Sequence, residues 1–134
     1  MTLQLLTQKQ IDVRNAVQLL QDHCHDAAFS AGWWNEKDGS SVKDNKLTFG
    51  NKLLLIHSEV SEAMEGDRKN LMDDKLPHRP MREVELADVI IRVFDTAGGY
   101  GLDLAGALIE KMQFNQQRPD HKKEAREAVG GKQY

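Results

Sequence analysis

The chain is poor in several of the features that fix an architecture or a location. It has one cysteine, Cys24, among 134 residues. No intrachain disulfide can form and a four-cysteine zinc site is excluded, which agrees with a reducing cytosol. No stretch approaches the ~20 apolar residues that cross a bilayer as a helix. The opening MTLQLLTQKQ has too short an apolar run, and no basic segment, for a secretory signal. There is no basic tract and the net charge is −3, which argues against a nucleic-acid-binding surface. The G-x-x-x-x-G-K-[ST] loop that cradles phosphates is absent. Alternating strand patterns, internal repeats and low-complexity segments are missing as well. The expectation is a soluble cytoplasmic protein with no membrane or nucleic-acid partner.

What the chain does have is helical periodicity. Apolar residues are 40% and charged residues 29% of the sequence, ordinary for a globular domain with one modest core. From about Thr7 to Phe29, Ile11, Val13, Ala16, Val17, Leu20, Cys24, Ala27 and Ala28 recur mostly at steps of three or four, which predicts an amphipathic helix. Thr7 and Gln10 fit a capping box. Residues 30–47 break the period and form a loop carrying Trp33 and Trp34. A second helix is predicted from about Thr48 to Lys69, marked by Leu53, Ile56, Val60, Ala63 and Met64. Residues 70–80, with two prolines, connect it to a third helix from about Met81 to Ala97, stopped by Gly98 and Gly99. Val84, Ala87, Ile90, Ile91, Phe94 and Ala97 form its expected inner face. Asp103 is positioned to N-cap a fourth helix from about Leu104 to Gln117. The class is all-α: a bundle of about four helices over residues 1–118, followed by a charged tail, 119–134. A chain this short is expected to complete such a bundle by pairing with further copies.

Two acidic pairs organise the rest. Glu59-x-x-Glu62 lies in the second helix and Glu85-x-x-Asp88 in the third. A three-residue step returns to the same helix face one turn on, so each pair projects together. Acidic residues at helical spacing are common on solvated faces, where nearby lysines neutralise them. Here, however, each pair flanks the apolar stripe of its helix: Ile56, Val60 and Ala63 on one, Val84, Ala87 and Ile91 on the other. Four carboxylates brought together repel one another and resist ionising unless cations sit among them. An all-oxygen set suits a hard ion, Mg²⁺ or Mn²⁺.

E-x-x-E, a gap of twenty-odd residues and then E-x-x-D resembles the MazG-like nucleoside triphosphate pyrophosphohydrolases, relatives of the all-α dimeric dUTPases. The resemblance runs from about Ile11 to Arg118. It includes an N-terminal helix, the loop GWWNE, the acidic helices with ADVIIRVFD, and the segment EKMQFNQQRP with Lys111, Asn115 and Arg118. It implies that Glu59, Glu62, Glu85 and Asp88 bind Mg²⁺ and support water attack on the α-phosphorus, giving a nucleoside monophosphate and pyrophosphate. Some relatives carry a further glutamate just before the first pair, as a candidate base; here that position is Ser58. The resemblance also implies a homodimer or homotetramer. The compact form is similar to single-domain phage-type members, which points first to (d)GTP as substrate, then to dCTP, dUTP or a modified nucleotide. The reading from a different class is a non-catalytic helical interaction module.

Lys111, Asn115 and Arg118 step by four and three and so share a helix face suited to phosphate oxygens. Arg92, one turn beyond Asp88, is either its salt-bridge partner or a phosphate contact. One of Trp33 and Trp34 is expected to stack on a base and the other to anchor the loop. Asn35 offers hydrogen bonds to a base edge, and Ile11 and Asn15 resemble base-pocket positions in relatives. Lys52 and Lys69 are expected to solubilise. His23 and His25 diverge around their helix and, with Cys24, do not make a zinc site.

Overall fold

The computed structural model describes residues 5–134, so Met1–Gln4 of the opening stretch lie outside the described residues. The protein is all-helical. Four main helices, α1 (Gln8–Ser30), α2 (Thr48–Arg68), α3 (Met81–Gly99) and α4 (Leu104–Gln117), are followed by a short α5 (Lys123–Glu127). Among the described residues there are only isolated β-bridges, Asn35 with Ser41 and Met72 with Pro80, and no strand.

The described chain divides into two compact units, the boundary falling within α1: residues 19–102, and residues 5–18 with 103–134. In the latter, the capping box forms as expected. The Thr7 N–H donates to Gln10 Oε1 at 2.9 Å and the Gln10 N–H to Thr7 Oγ1 at 3.3 Å. Asp103 caps α4, accepting the Gly106 N–H at 2.8 Å. Ala105 and Ile109 carry the buried side of α4.

The central unit is built on an antiparallel α2–α3 pair. Asp67 meets Arg82, Glu59 meets Arg92 and Asp95 meets Lys52, a register that runs in opposite directions along the two helices. All three helices of this unit end in the same way. Residues with positive φ, Gly32 (+86°), Asn70 (+51°) and Gly101 (+62°), turn the chain out of the helix. The following N–H groups then reach back to the last turn: Trp33 to Ala28 O (3.1 Å), Leu71 to Gly66 O (2.9 Å) and Leu102 to Ala97 O (2.9 Å). This is the Schellman arrangement, which satisfies carbonyls left free at a helix end.

Gly98 and Gly99 therefore do not stop α3; Gly101 does. Their role is close approach. A Cβ on Gly99 would lie 2.0 Å from the Trp34 ring, and one on Gly98 2.5 Å from the His25 Cβ. The absence of side chains there lets the tryptophan and α1 lie directly on the α3 backbone.

The expected apolar stripes are also displaced. Val60 on α2 and Ala87, Ile90 and Ile91 on α3 are exposed, as are Leu53 and Met64. Of the α2 and α3 stripe residues, only Ala63 and Ala97 are buried. The seam between the helices is taken instead by charged side chains. Glu59 and Glu85 are buried to 7% exposure, with Asp95 nearly as deep.

Gly99→Ala is expected to cost about 1–3 kcal/mol by driving Trp34 out of its seat. Gly50→Ala, inside α2 with no atom within 4 Å of the added Cβ, is expected to stabilise by about 0.5–1 kcal/mol. Urea denaturation of the two variants beside the parent checks both signs.

Candidate metal centre

Along α3, Glu85, Asp88, Arg92 and Asp95 step by three, four and three, and so lie on one face. On α2, Lys52 and Glu59 are two turns apart on the face that meets it. The antiparallel register sets Glu59 against the first part of the α3 ladder and Lys52 against its end. One carboxylate oxygen from each of Glu59, Glu85 and Asp88 falls within 4.8 Å of the other two. Three of the four expected acids thus converge. Glu62 is exposed and stands outside this set, although its negative charge acts on Glu85.

The electrostatics show how crowded the site is. Burial, then a hydrogen bond with Glu59, then repulsion from Glu62, Glu59 and Asp88 push the Glu85 carboxyl up to about 7. Asp88 is raised as well, by burial and then by Glu59, against the opposing pull of Arg92 and Lys75. The Arg92 Nε–H donates to Glu59 Oε1 at 2.6 Å and is the cation closest to the set. Its single charge does not balance three carboxylates, and Glu85, pushed up to about 7, keeps its proton well above the usual carboxylate range. A divalent cation would replace that proton and fits the donor set, which is all oxygen and compact.

A second polar cluster buttresses the first. Trp34, 3% exposed, donates its indole N–H to Asp95 Oδ1 at 2.7 Å. His25 Nδ1 lies 3.0 Å from the same oxygen. The Lys52 ammonium sits 3.7 Å from Asp95 Oδ2 and 4.0 Å above the Trp34 ring. Trp34 is held there by the loop that bears it, where the Val42 N–H bonds Trp34 O at 3.2 Å and Thr48 Oγ1–H bonds Val42 O at 2.6 Å.

Several expectations change. Trp34 is the loop anchor and has no free face for a base; Trp33, 73% exposed, is the tryptophan left available, with exposed Asn35 beside it. Lys52 does not solubilise: its side chain is 16% exposed. Lys69 does, pairing at the surface with Glu65. Arg92 bonds Glu59 on the opposite helix rather than serving as a partner of Asp88 alone. Arg118 leaves the α4 face, because the helix ends at Gln117 and Arg118 is extended (φ −68°, ψ 124°). Its guanidinium grips Asp120 through two hydrogen bonds, 3.0 and 2.6 Å, and Lys132 bonds the same carboxylate at 2.9 Å. Lys111 lies 4.8 Å over the Phe114 ring, and Asn115 keeps a buried Oδ1 with no hydrogen-bond partner. Ile11 and Asn15 are exposed on the N-terminal part of α1. Sequence reasoning missed Asp95 and Lys52. The signal was present, since Asp95 continues the α3 ladder one step past Arg92, and Lys52 precedes Glu59 by two turns.

Comparison with known proteins gives no match: no family model, no curated protein and no solved structure aligns with the chain.

The raised Glu85 carboxyl has a thermodynamic consequence. From about pH 4.5, where the unfolded glutamate releases its proton, to about 7, where the folded one does, the native state binds the extra proton. Stability therefore falls as pH rises through that window. With chelator present, the melting temperature is expected to drop between about pH 5 and pH 8, and Glu85→Gln to flatten the drop. Differential scanning calorimetry over a pH series measures this.

Proposed function

We propose that the protein is a Mg²⁺-dependent nucleoside triphosphate pyrophosphohydrolase of the MazG-like type. The observation that carries this reading is the convergence of Glu59, Glu85 and Asp88, from two helices, within 4.8 Å. These three would hold the dication, with Mn²⁺ an acceptable substitute, and the exposed Glu62 adds negative charge that acts on Glu85. When bound, the ion would supply charge neutralisation on phosphate oxygens and an acidified water.

The remaining work belongs to the chain. Arg92 fixes Glu59 through the Nε–H bond of 2.6 Å and keeps the carboxylate aimed at the centre. Ser58 is no base, since its hydroxyl donates to Leu55 O at 2.7 Å; the water's proton passes to a carboxylate of the set or to solvent. The water oxygen bonds to the α-phosphorus as the bond to the α–β bridging oxygen breaks, and pyrophosphate leaves. Trp33 and Asn35, both exposed, are the base-contacting candidates of the loop. Guanine triphosphates stand first among substrates on the likeness to compact phage-type members, and dCTP or dUTP second.

Self-association accompanies this reading. Leu53, Val60 and Met64 on α2 and Leu86, Ile90 and Ile91 on α3 are large apolar side chains left exposed beside the polar seam, and a homodimer or homotetramer would cover them. Among the described residues no helix is long and apolar enough to cross a membrane.

The purified protein with Mg²⁺ and each canonical NTP and dNTP is expected to release monophosphate and pyrophosphate from one or two bases. Glu59→Gln and Asp88→Asn are expected to lower kcat about a hundredfold or more. Diphosphate with orthophosphate as products would overturn α-phosphorus attack. No turnover, with no effect of Mg²⁺ on the melting temperature, would favour the helical interaction module.

A further inference from the structure

Between the carboxylate set and the Trp34 cluster lies a small open cleft lined by Lys52, Leu55, Arg92, Asp95 and Thr96. We infer that this cleft seats a phosphate group of the substrate, with Lys52 and Arg92 as its two donors. The inference rests on the proposed reaction for the identity of the substrate, but not for the anion chemistry.

The cleft presents unspent donors. Arg92 uses its Nε–H on Glu59, and its terminal nitrogens have no hydrogen-bond partner among the described residues. Lys52 pairs with Asp95 Oδ2 at 3.7 Å and lies over the Trp34 ring, but that distance is beyond a hydrogen bond, so its N–H groups make no hydrogen bond among the described residues. The acceptors in the cleft are largely taken. Asp95 Oδ1 receives the Trp34 indole N–H and faces His25, while Oδ2 faces Lys52. Thr96 has given its hydroxyl hydrogen to Arg92 O at 2.7 Å and offers no donor of its own. Recognition therefore falls to the two cations. They stand on opposite helices, and a tetrahedral oxyanion bridging them satisfies both.

Position supports the same assignment. Arg92 is one turn from Asp88 and bonded to Glu59, so a phosphate held by it abuts the carboxylate oxygens. Of the residues expected to bind phosphate, Arg92 lines this cleft, whereas Arg118 is held by Asp120 and Lys111 lies over the face of Phe114. Lys52 is also the counter-ion of Asp95, and a purely structural role would leave anion affinity unchanged once the fold is intact.

The test is calorimetric titration of the full chain with inorganic pyrophosphate, with and without Mg²⁺, alongside steady-state kinetics on the best nucleotide. Lys52→Met, which keeps the apolar stem, is expected to weaken pyrophosphate binding and raise KM about tenfold, with Lys52→Arg restoring most of both. Leu55→Glu, at a half-exposed wall position, places a carboxylate in the cleft without touching Asp95. It is expected to do the same, and it decides the question if Lys52→Met does not fold. Pyrophosphate affinity and KM unchanged in folded Lys52→Met and in Leu55→Glu would overturn the cleft while leaving the hydrolase reading intact. Lys52-dependent pyrophosphate binding by a protein that turns over no nucleotide would keep the cleft and remove the hydrolase reading.

Discussion

Packing two helices through charged side chains is a demanding way to build a seam, and the α2–α3 pair depends on it. Glu59, Glu85 and Asp88 lose much of their hydration where the helices meet, and their mutual repulsion adds to that cost. The Glu59–Arg92 bond and the proton that the raised Glu85 carboxyl retains offset part of it. A cation that bound the folded carboxylates more tightly than the unfolded ones would pull the equilibrium towards the native state.

The second cluster explains how so polar a seam keeps its geometry. Trp34 contributes the largest apolar body buried in the central unit, yet its indole N–H is tied to Asp95 and its ring lies under Lys52. The tryptophan therefore orients charges as well as excluding water. His25 from α1 converges on the same carboxylate, so α1, the loop and both seam helices are fixed to one another around Asp95. Gly98 and Gly99 permit this by letting side chains rest on the α3 backbone, a contact that a single methyl group would break. The large apolar residues displaced from the seam, Val60, Ile90 and Ile91 among them, are left exposed.

The helices, most of their ends and the capping residues were legible in the sequence, because they depend on contacts within a few residues. The Thr7 box, the Asp103 cap and the limits of α4 formed where the local pattern placed them. The inward faces were not legible. Hydrophobic periodicity assigns the apolar stripe to the core, and in α2 and α3 that rule inverts, since the polar ladder faces in and Val60, Ile90 and Ile91 face out. Nor does spacing reveal that Arg118 steps out of helical phase, which follows from a chain turn just before Pro119 and from the grip on Asp120.

By itself, the sequence determined an all-α chain with acidic pairs at three-residue spacing on adjacent helices, because helix propensity, caps and the 3.6-residue period are local properties. Only the tertiary structure decided which carboxylates meet. The antiparallel register, set by the length of the connection and by the ion pairs across the seam, brought Glu59 to Glu85 and Asp88 and left Glu62 at the rim. It also decided which tryptophan is buried and which lysine faces Asp95. Those outcomes depend on distances between residues far apart in the chain, and no local spacing encodes such a distance.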